Sequence, residues 1–148
     1  MCLDIVYSET KRERRLARKR QDVFAVYKDV EWGWKRGKLV ACPEIFGYKS
    51  RHFKVGINKA KEMGRHRIIQ ANTGGWYEAG FHCYMTQAER PRNRKQLRCF
   101  VKKRDIIAMG KQMGLVVIVA SKMRIYKKDW DKAKRVFEGY LGRCLRTI

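Results

Sequence analysis

Leu115-Val116-Val117-Ile118-Val119-Ala120 is the run that decides the fold. It is β-branched and shows no polar alternation, the pattern of a strand covered on both faces. Just downstream, Ser121-Lys122-Met123-Arg124-Ile125-Tyr126 does alternate, with Met123 and Ile125 opposed to Lys122, Arg124 and Tyr126. It reads as the same strand continuing to an edge. Upstream, Leu97-Arg98-Cys99-Phe100-Val101-Lys102 has strand character, and Ile106-Ile107-Ala108-Met109-Gly110 is a short apolar segment with a glycine stop.

Further out, Val23-Phe24-Ala25-Val26-Tyr27 reads as a buried strand, and residues 2–7 as a short one. Val30-Glu31-Trp32-Gly33-Trp34-Lys35-Arg36-Gly37-Lys38 leads into Leu39-Val40-Ala41-Cys42, which Pro43 stops. A hairpin around Gly33 or Gly37 fits this order. Residues 44–75 are the least regular part, with a helical turn at Lys59-Ala60-Lys61-Glu62-Met63 and surface histidines at His52 and His66. At the far end, Trp130, Ala133, Phe137, Tyr140 or Leu141, and Cys144 recur at helical spacing. A closing helix over 129–146 follows, N-capped by Asp129 and weakened toward its end by Gly139 and Gly142.

Thirty-six Lys and Arg stand against 14 Asp and Glu in 148 residues, a formal charge of +22. That excess favours a polyanionic partner, RNA or DNA first, an anionic membrane or an acidic protein less so. The charge is clustered. Seven of the ten residues from 11 to 20 are basic: Lys11, Arg12, Arg14, Arg15, Arg18, Lys19 and Arg20. Ser8 is the candidate N-cap of a helix over 9–21, in which only Leu16 and Ala17 can face a core. The segment reads as a phosphate-contacting arm that orders on binding. Arg90, Arg92, Arg94 and Lys95 form a second basic cluster in a loop. Trp32 and Trp34 either stack on bases or belong to the core.

The most distinctive motif is Gly74-Gly75-Trp76-Tyr77-Glu78-Ala79-Gly80-Phe81-His82-Cys83-Tyr84-Met85-Thr86. Strand alternation puts Phe81, Cys83 and Met85 on one face and His82 and Tyr84 on the other, toward solvent, a groove or a second layer. Thr86 to Glu89 fits a capping box opening a short helix. Glu78, four positions before His82, is the candidate general acid of an enzymatic reading, with His82 and Tyr84 lining the same cleft. Otherwise it is a surface carboxylate paired with a cation.

The cysteines lack zinc-ligand spacing, and no phosphate-loop or Gly-x-Gly-x-x-Gly motif occurs, so neither a metal nor a cofactor is expected. The odd, scattered set of five cysteines suits a reducing compartment. With neither a signal-peptide pattern nor a spanning apolar run, the expectation is a cytoplasmic protein with no membrane partner.

The Met1-Cys2-Leu3 opening, Val23-Phe24-Ala25-Val26-Tyr27-Lys28 and the block from Trp76 to Tyr84 carry a resemblance. So do Ala88, Val101, Gly110 and Val117-Ile118-Val119-Ala120. Together they resemble small phage and prophage proteins with an aromatic-x-x-Gly-Phe-His block, which implies a compact α+β domain of viral origin. The order strand, Gly-Phe-His, helix, strand also resembles the ADP-ribosyltransferase-like fold, without a matching Arg/His, Ser/Thr/Tyr, Glu trio.

The expected architecture is α+β, a single domain with a mostly antiparallel sheet of about five strands. A basic helical arm spans 9–21, the sheet core 22–126 and the closing amphipathic helix 129–146, packed on the sheet. Phe24, Val26, Phe81, Cys83, Phe100, Val117 and Val119 are expected in the core. The expected function is nucleic-acid binding through the clustered cations, in a host-cell cytoplasm, with possible interference with a host nucleoprotein. The alternative is a transferase or hydrolase acting on a nucleotide or nucleic acid.

Overall fold

The computed structural model describes residues 2–43, 52–63, 68–89 and 95–146. The chain runs β1 (Ile5–Val6), α1 (Glu9–Arg18), β2 (Val23–Lys35), β3 (Lys38–Pro43), β4 (Gly56–Lys59) and the single turn α2 (Ala60–Met63). It continues with β5 (Ile68–Gln70), β6 (Trp76–Glu78), β7 (Phe81–Tyr84), β8 (Gln96–Lys102), β9 (Ile106–Gln112), β10 (Leu115–Ala120), β11 (Lys122–Ile125) and α3 (Lys127–Arg146). Antiparallel sheet dominates, and a helix closes the chain. Among the described residues the main sheet has nine strands rather than about five, in the order β1-β9-β10-β7-β2-β8-β11-β4 with β3 beside β2. β5 and β6 form a separate hairpin.

The sheet is rolled, and the chain requires it. β10 and β11 are separated in sequence by Ser121 alone, yet β7, β2 and β8 stand between them in the sheet. In a flat sheet four strand spacings would put them about 19 Å apart. The two peptide units from Ala120 to Lys122 reach at most about 7 Å. The sheet therefore curls until its path nearly closes at Ser121. That residue's N–H donates to the Asp105 carbonyl at 2.9 Å, and its own carbonyl accepts from the Ala60 N–H at 2.8 Å. Residues 115–125 thus form one bent ribbon serving two regions of the sheet, where the sequence suggested a single strand running to an edge.

Rolling gives the sheet an inside and an outside. Phe24, Val26, Val30, Phe81, Cys83, Leu97, Cys99, Val101, Ile118, Ala120, Met123 and Ile125 fill the inside. Full burial of a side chain such as Ile118 contributes about 1.5–3 kcal/mol. Outside, Val117, Val119, Tyr84 and Ala108 meet Leu3, Ala71 and Tyr77 in a second, smaller core. The N-terminal segment and the β5–β6 hairpin supply that cover. This explains why β10 has no polar face: Ile118 and Ala120 point inward while Val117 and Val119 are roofed over. Phe100, expected in the core, lies on the outer side between Cys99 and Val101 and is only partly buried.

α3 packs Trp130 and Ala133 against the inner core, where Trp32 of β2 joins them. Trp32 meets Trp130 edge-on at 5.1 Å and stacks with Phe137 at 6.0 Å. The helix begins two residues before the expected Asp129 cap, which lies inside its first turn. It also runs past Gly139 and Gly142. No helix forms at Thr86–Glu89. There the Ala88 N–H is held by the Gln96 side chain at 2.9 Å instead.

Arg36 and Gly37 both take positive φ in the two-residue turn between β2 and β3, so Gly37 makes the turn and Gly33 sits within β2 opposite Val40. Met113 and Gly114 repeat this between β9 and β10. Gly110 does not stop its segment. It lies inside β9, where a Cβ would overlap the carbonyl oxygen of Ile5 on β1. Gly110→Ala should therefore lower stability in chemical denaturation by about 3 kcal/mol. Gly139→Ala, in α3 with nothing within 4 Å of the added carbon, should raise it by about 0.5–1 kcal/mol.

Candidate nucleic-acid interface

α1 starts where the sequence places it, with the Ser8 hydroxyl accepting from the Lys11 N–H at 3.2 Å, and ends at Arg18 rather than at residue 21. It is not a free arm. Leu16 is buried in the main core. The Arg12 guanidinium donates to the Ile107 carbonyl at 2.6 Å. Lys11 and Arg15 lie over the Tyr7 ring at 4.2 and 4.9 Å. Arg14, Arg18, Lys19 and Arg20 remain exposed. Lys95 is exposed too, whereas Arg90, Arg92, Arg94 and His66 lie outside the described residues. Trp32 is taken up in packing under α3, which removes it as a free stacking surface. Trp34, 63% exposed, shares the inner-facing register of Trp32 near the hairpin tip.

Glu78, His82 and Tyr84 do not share a cleft. On β6 only Tyr77 faces the sheet, and Glu78 is exposed on the opposite side. His82 and Tyr84 do point the same way, into the second layer, and both are buried. The Tyr77 hydroxyl is the hub there. It accepts from the Leu3 N–H at 2.8 Å and donates to His82 Nε2 at 2.9 Å. His82 Nδ1 then carries the proton and donates to the Gly80 carbonyl at 3.2 Å. Burial, helped by the charge of Lys28, holds the imidazole down to about 3. Cys83 faces the other way, and burial pushes its thiol up to about 11. Burial also raises Cys99. These protonation states suit packing, not proton transfer or nucleophilic attack at neutral pH.

The outer face of β8, β11 and β4 presents a different surface. Among the described residues no layer covers it as β5–β6 covers β10. Its outward positions are Arg98, Phe100 and Lys102 on β8, Lys122, Arg124 and the following Tyr126 on β11, and Ile57 and Lys59 on β4. Arg124 stands across from both Phe100 and Ile57, and Lys122 across from Lys59. Lys102 lies on the same outward side of β8, two residues beyond Phe100. Phe100 and Tyr126 meet edge-on at 5.1 Å. Arg98 sits over Phe100 at 5.0 Å, and Arg124 over Tyr126 at 5.8 Å. None of these outward positions holds an acid. Asp29, further along β2, is buried and accepts from the Gln96 amide at 3.0 Å.

This face joins the basic end of α1. Lys103, just past β8, donates its ammonium to the Lys19 carbonyl at 3.3 Å and its N–H to the Asp22 carbonyl at 2.8 Å. Arg18, Lys19 and Arg20 thus adjoin Lys102, Lys103 and Arg104. The first of these groups was evident in the sequence as a charge run. The sheet face was not, because its cations are spaced by core residues. The usable signal was the cation–core alternation shared by 97–102 and 121–126.

The Tyr77–His82 pair has a pH signature. Unfolded, a histidine takes up its proton near 6.5; folded, His82 does so only at about 3. Between these values the unfolded chain binds more protons, so acid favours unfolding. The contribution is complete above about pH 6.5 and is lost as pH falls toward 3, at up to about 1.4 kcal/mol per pH unit. Urea titrations across this range should show a flatter pH dependence for His82→Gln than for the wild type. Tyr77→Phe, which strands the Leu3 N–H and His82 Nε2, should cost about 2–3 kcal/mol at neutral pH.

No protein-family model, curated protein or solved structure matches the chain.

Proposed function

We propose that the protein binds nucleic acid through the outer face of β8, β11 and β4, extended by the C-terminal end of α1. The observation that carries this reading is the cross-strand pairing of like charges. Lys122 stands directly opposite Lys59, with no acid at the outward positions. Like charges opposed across strands destabilise a sheet. Solubility asks only for dispersed charge, and a repulsive cluster adds nothing to it. A polyanion relieves the repulsion, and nucleic acid supplies phosphates in a row to match cations in a row.

The remaining charge pattern supports the same assignment. On α3, Lys127 is paired with Asp131 at 2.8 Å, an ordinary helix-surface ion pair. The sheet-face cations have no such carboxylate among the described residues. Binding then has a defined salt dependence, because each phosphate neutralised releases condensed counterions.

Affinity for an oligonucleotide should fall linearly on a log–log plot against salt. Lys102→Gln combined with Lys122→Gln should weaken binding for every sequence tested. It should also reduce the slope by about 0.7–0.9 for each phosphate no longer neutralised. Fluorescence anisotropy over a salt series measures both. An affinity independent of salt, or a double variant with the wild-type slope, would remove this face from the function.

A further inference from the structure

We infer that this face selects unpaired strands, taking single-stranded nucleic acid by stacking bases on the Phe100–Tyr126 pair. The inference rests on the phosphate-binding reading above and adds to it the form of nucleic acid bound. Two aromatic side chains stand at outward positions among cations, where water-loving residues would serve the fold better. Tyr126 is 43% exposed. Phe100 is half-buried at an outward position of β8. The cost of leaving apolar rings at a charged surface is offset when something flat covers them.

Each ring already has a flat cation over it, Arg98 on Phe100 and Arg124 on Tyr126. Among the described residues neither guanidinium is held by a carboxylate. A base can stack on a ring or on the guanidinium plane above it, and Arg contributes cation–π attraction in either arrangement. Lys59, Lys102 and Lys122 flank the pair and supply phosphate contacts on the same face. Stacking faces ringed by cations are what an unpaired strand requires.

A duplex does not fit this arrangement. Its base faces are hidden in its own stack, and it offers only phosphates and groove edges. Reading a groove takes a protruding helix or ribbon. Among the described residues the face is instead open sheet, with Phe100 on β8 beside Tyr126 at the end of β11. A duplex would engage the cations and leave both rings idle.

The test uses the full-length protein and three labelled probes of equal length: a single strand, the corresponding duplex, and a strand of abasic residues with the same phosphates. The single strand should bind tightest, and the abasic strand should bind like a weak polyanion. Tyr126→Ala and Phe100→Leu should each weaken single-strand binding by about 5- to 100-fold. Both should leave abasic-strand affinity and the salt slope unchanged. Tyr126→Phe, which keeps the ring, should retain wild-type affinity, and circular dichroism should give all three variants the wild-type spectrum. Equal affinity for the single and abasic strands, or aromatic variants that bind as wild type, overturns the stacking inference while leaving the phosphate reading intact. Failure of the wild type to bind any of the three probes at low salt overturns both.

Discussion

The peptide through Ser121 is too short to let β10 and β11 lie apart in a flat sheet, and much of the architecture follows from that limit. The sheet must roll. Once rolled, it has a closed interior that takes one side of each strand, and an exterior whose parts meet different surroundings. Over β9, β10 and β7 the exterior is sealed by the N-terminal segment and the β5–β6 hairpin. Over β8, β11 and β4 it carries cations and two rings. The two cores and the basic face are consequences of one curvature.

The glycines enforce the sealed half at close quarters. Gly110 lets β1 lie against β9. Gly80, just before β7, lets the chain approach β10, where a Cβ would come within 2.6 Å of the Ala120 carbonyl oxygen. Gly75, at φ +84°, leaves room for the Val6 side chain. Beneath them the Tyr77 hydroxyl ties the N-terminal backbone to His82, so the cover is fastened by polar contacts as well as by packing. The motif that looked most like chemistry is thus the fastening of a roof. Its aromatic, glycine and histidine content suits that work: close approach, a ring to bury and a neutral acceptor to satisfy a hydroxyl.

Much of the fold was legible. The valine-rich run announced its double cover, the strands at 23–27 and 97–102 lie where the alternation and branching put them, α1 follows its Ser8 cap, and α3 follows its apolar stripe. What local pattern could not give was the joining of distant strands. Nothing near Ser121 says that the chain leaves one part of the sheet and enters another, since a strand that bends keeps its alternation. β4, β5 and β6 are three or four residues long, too short for periodicity to register. The basic sheet face was missed for a related reason. A charge run in sequence is conspicuous, whereas Arg98, Lys102, Lys122, Arg124 and Lys59 become neighbours only when three strands pair. Trp32 misled in the opposite sense: an aromatic among cations suggested a ligand, and tertiary packing under α3 claimed it.

The bond between the Met113 N–H and the Asp4 carboxylate spans 109 residues. Contacts of that separation form late, because closing so long a loop costs entropy before anything is gained. As the chain emerges from the ribosome, Leu3 and Val6 can meet Ala71, Gly75 and Tyr77 first, and their places against β9 and β10 follow only when those strands have been made. The bond from Arg12 of the arginine-rich first helix to the Ile107 carbonyl likewise waits for β9, so the helix is fully anchored only late in synthesis.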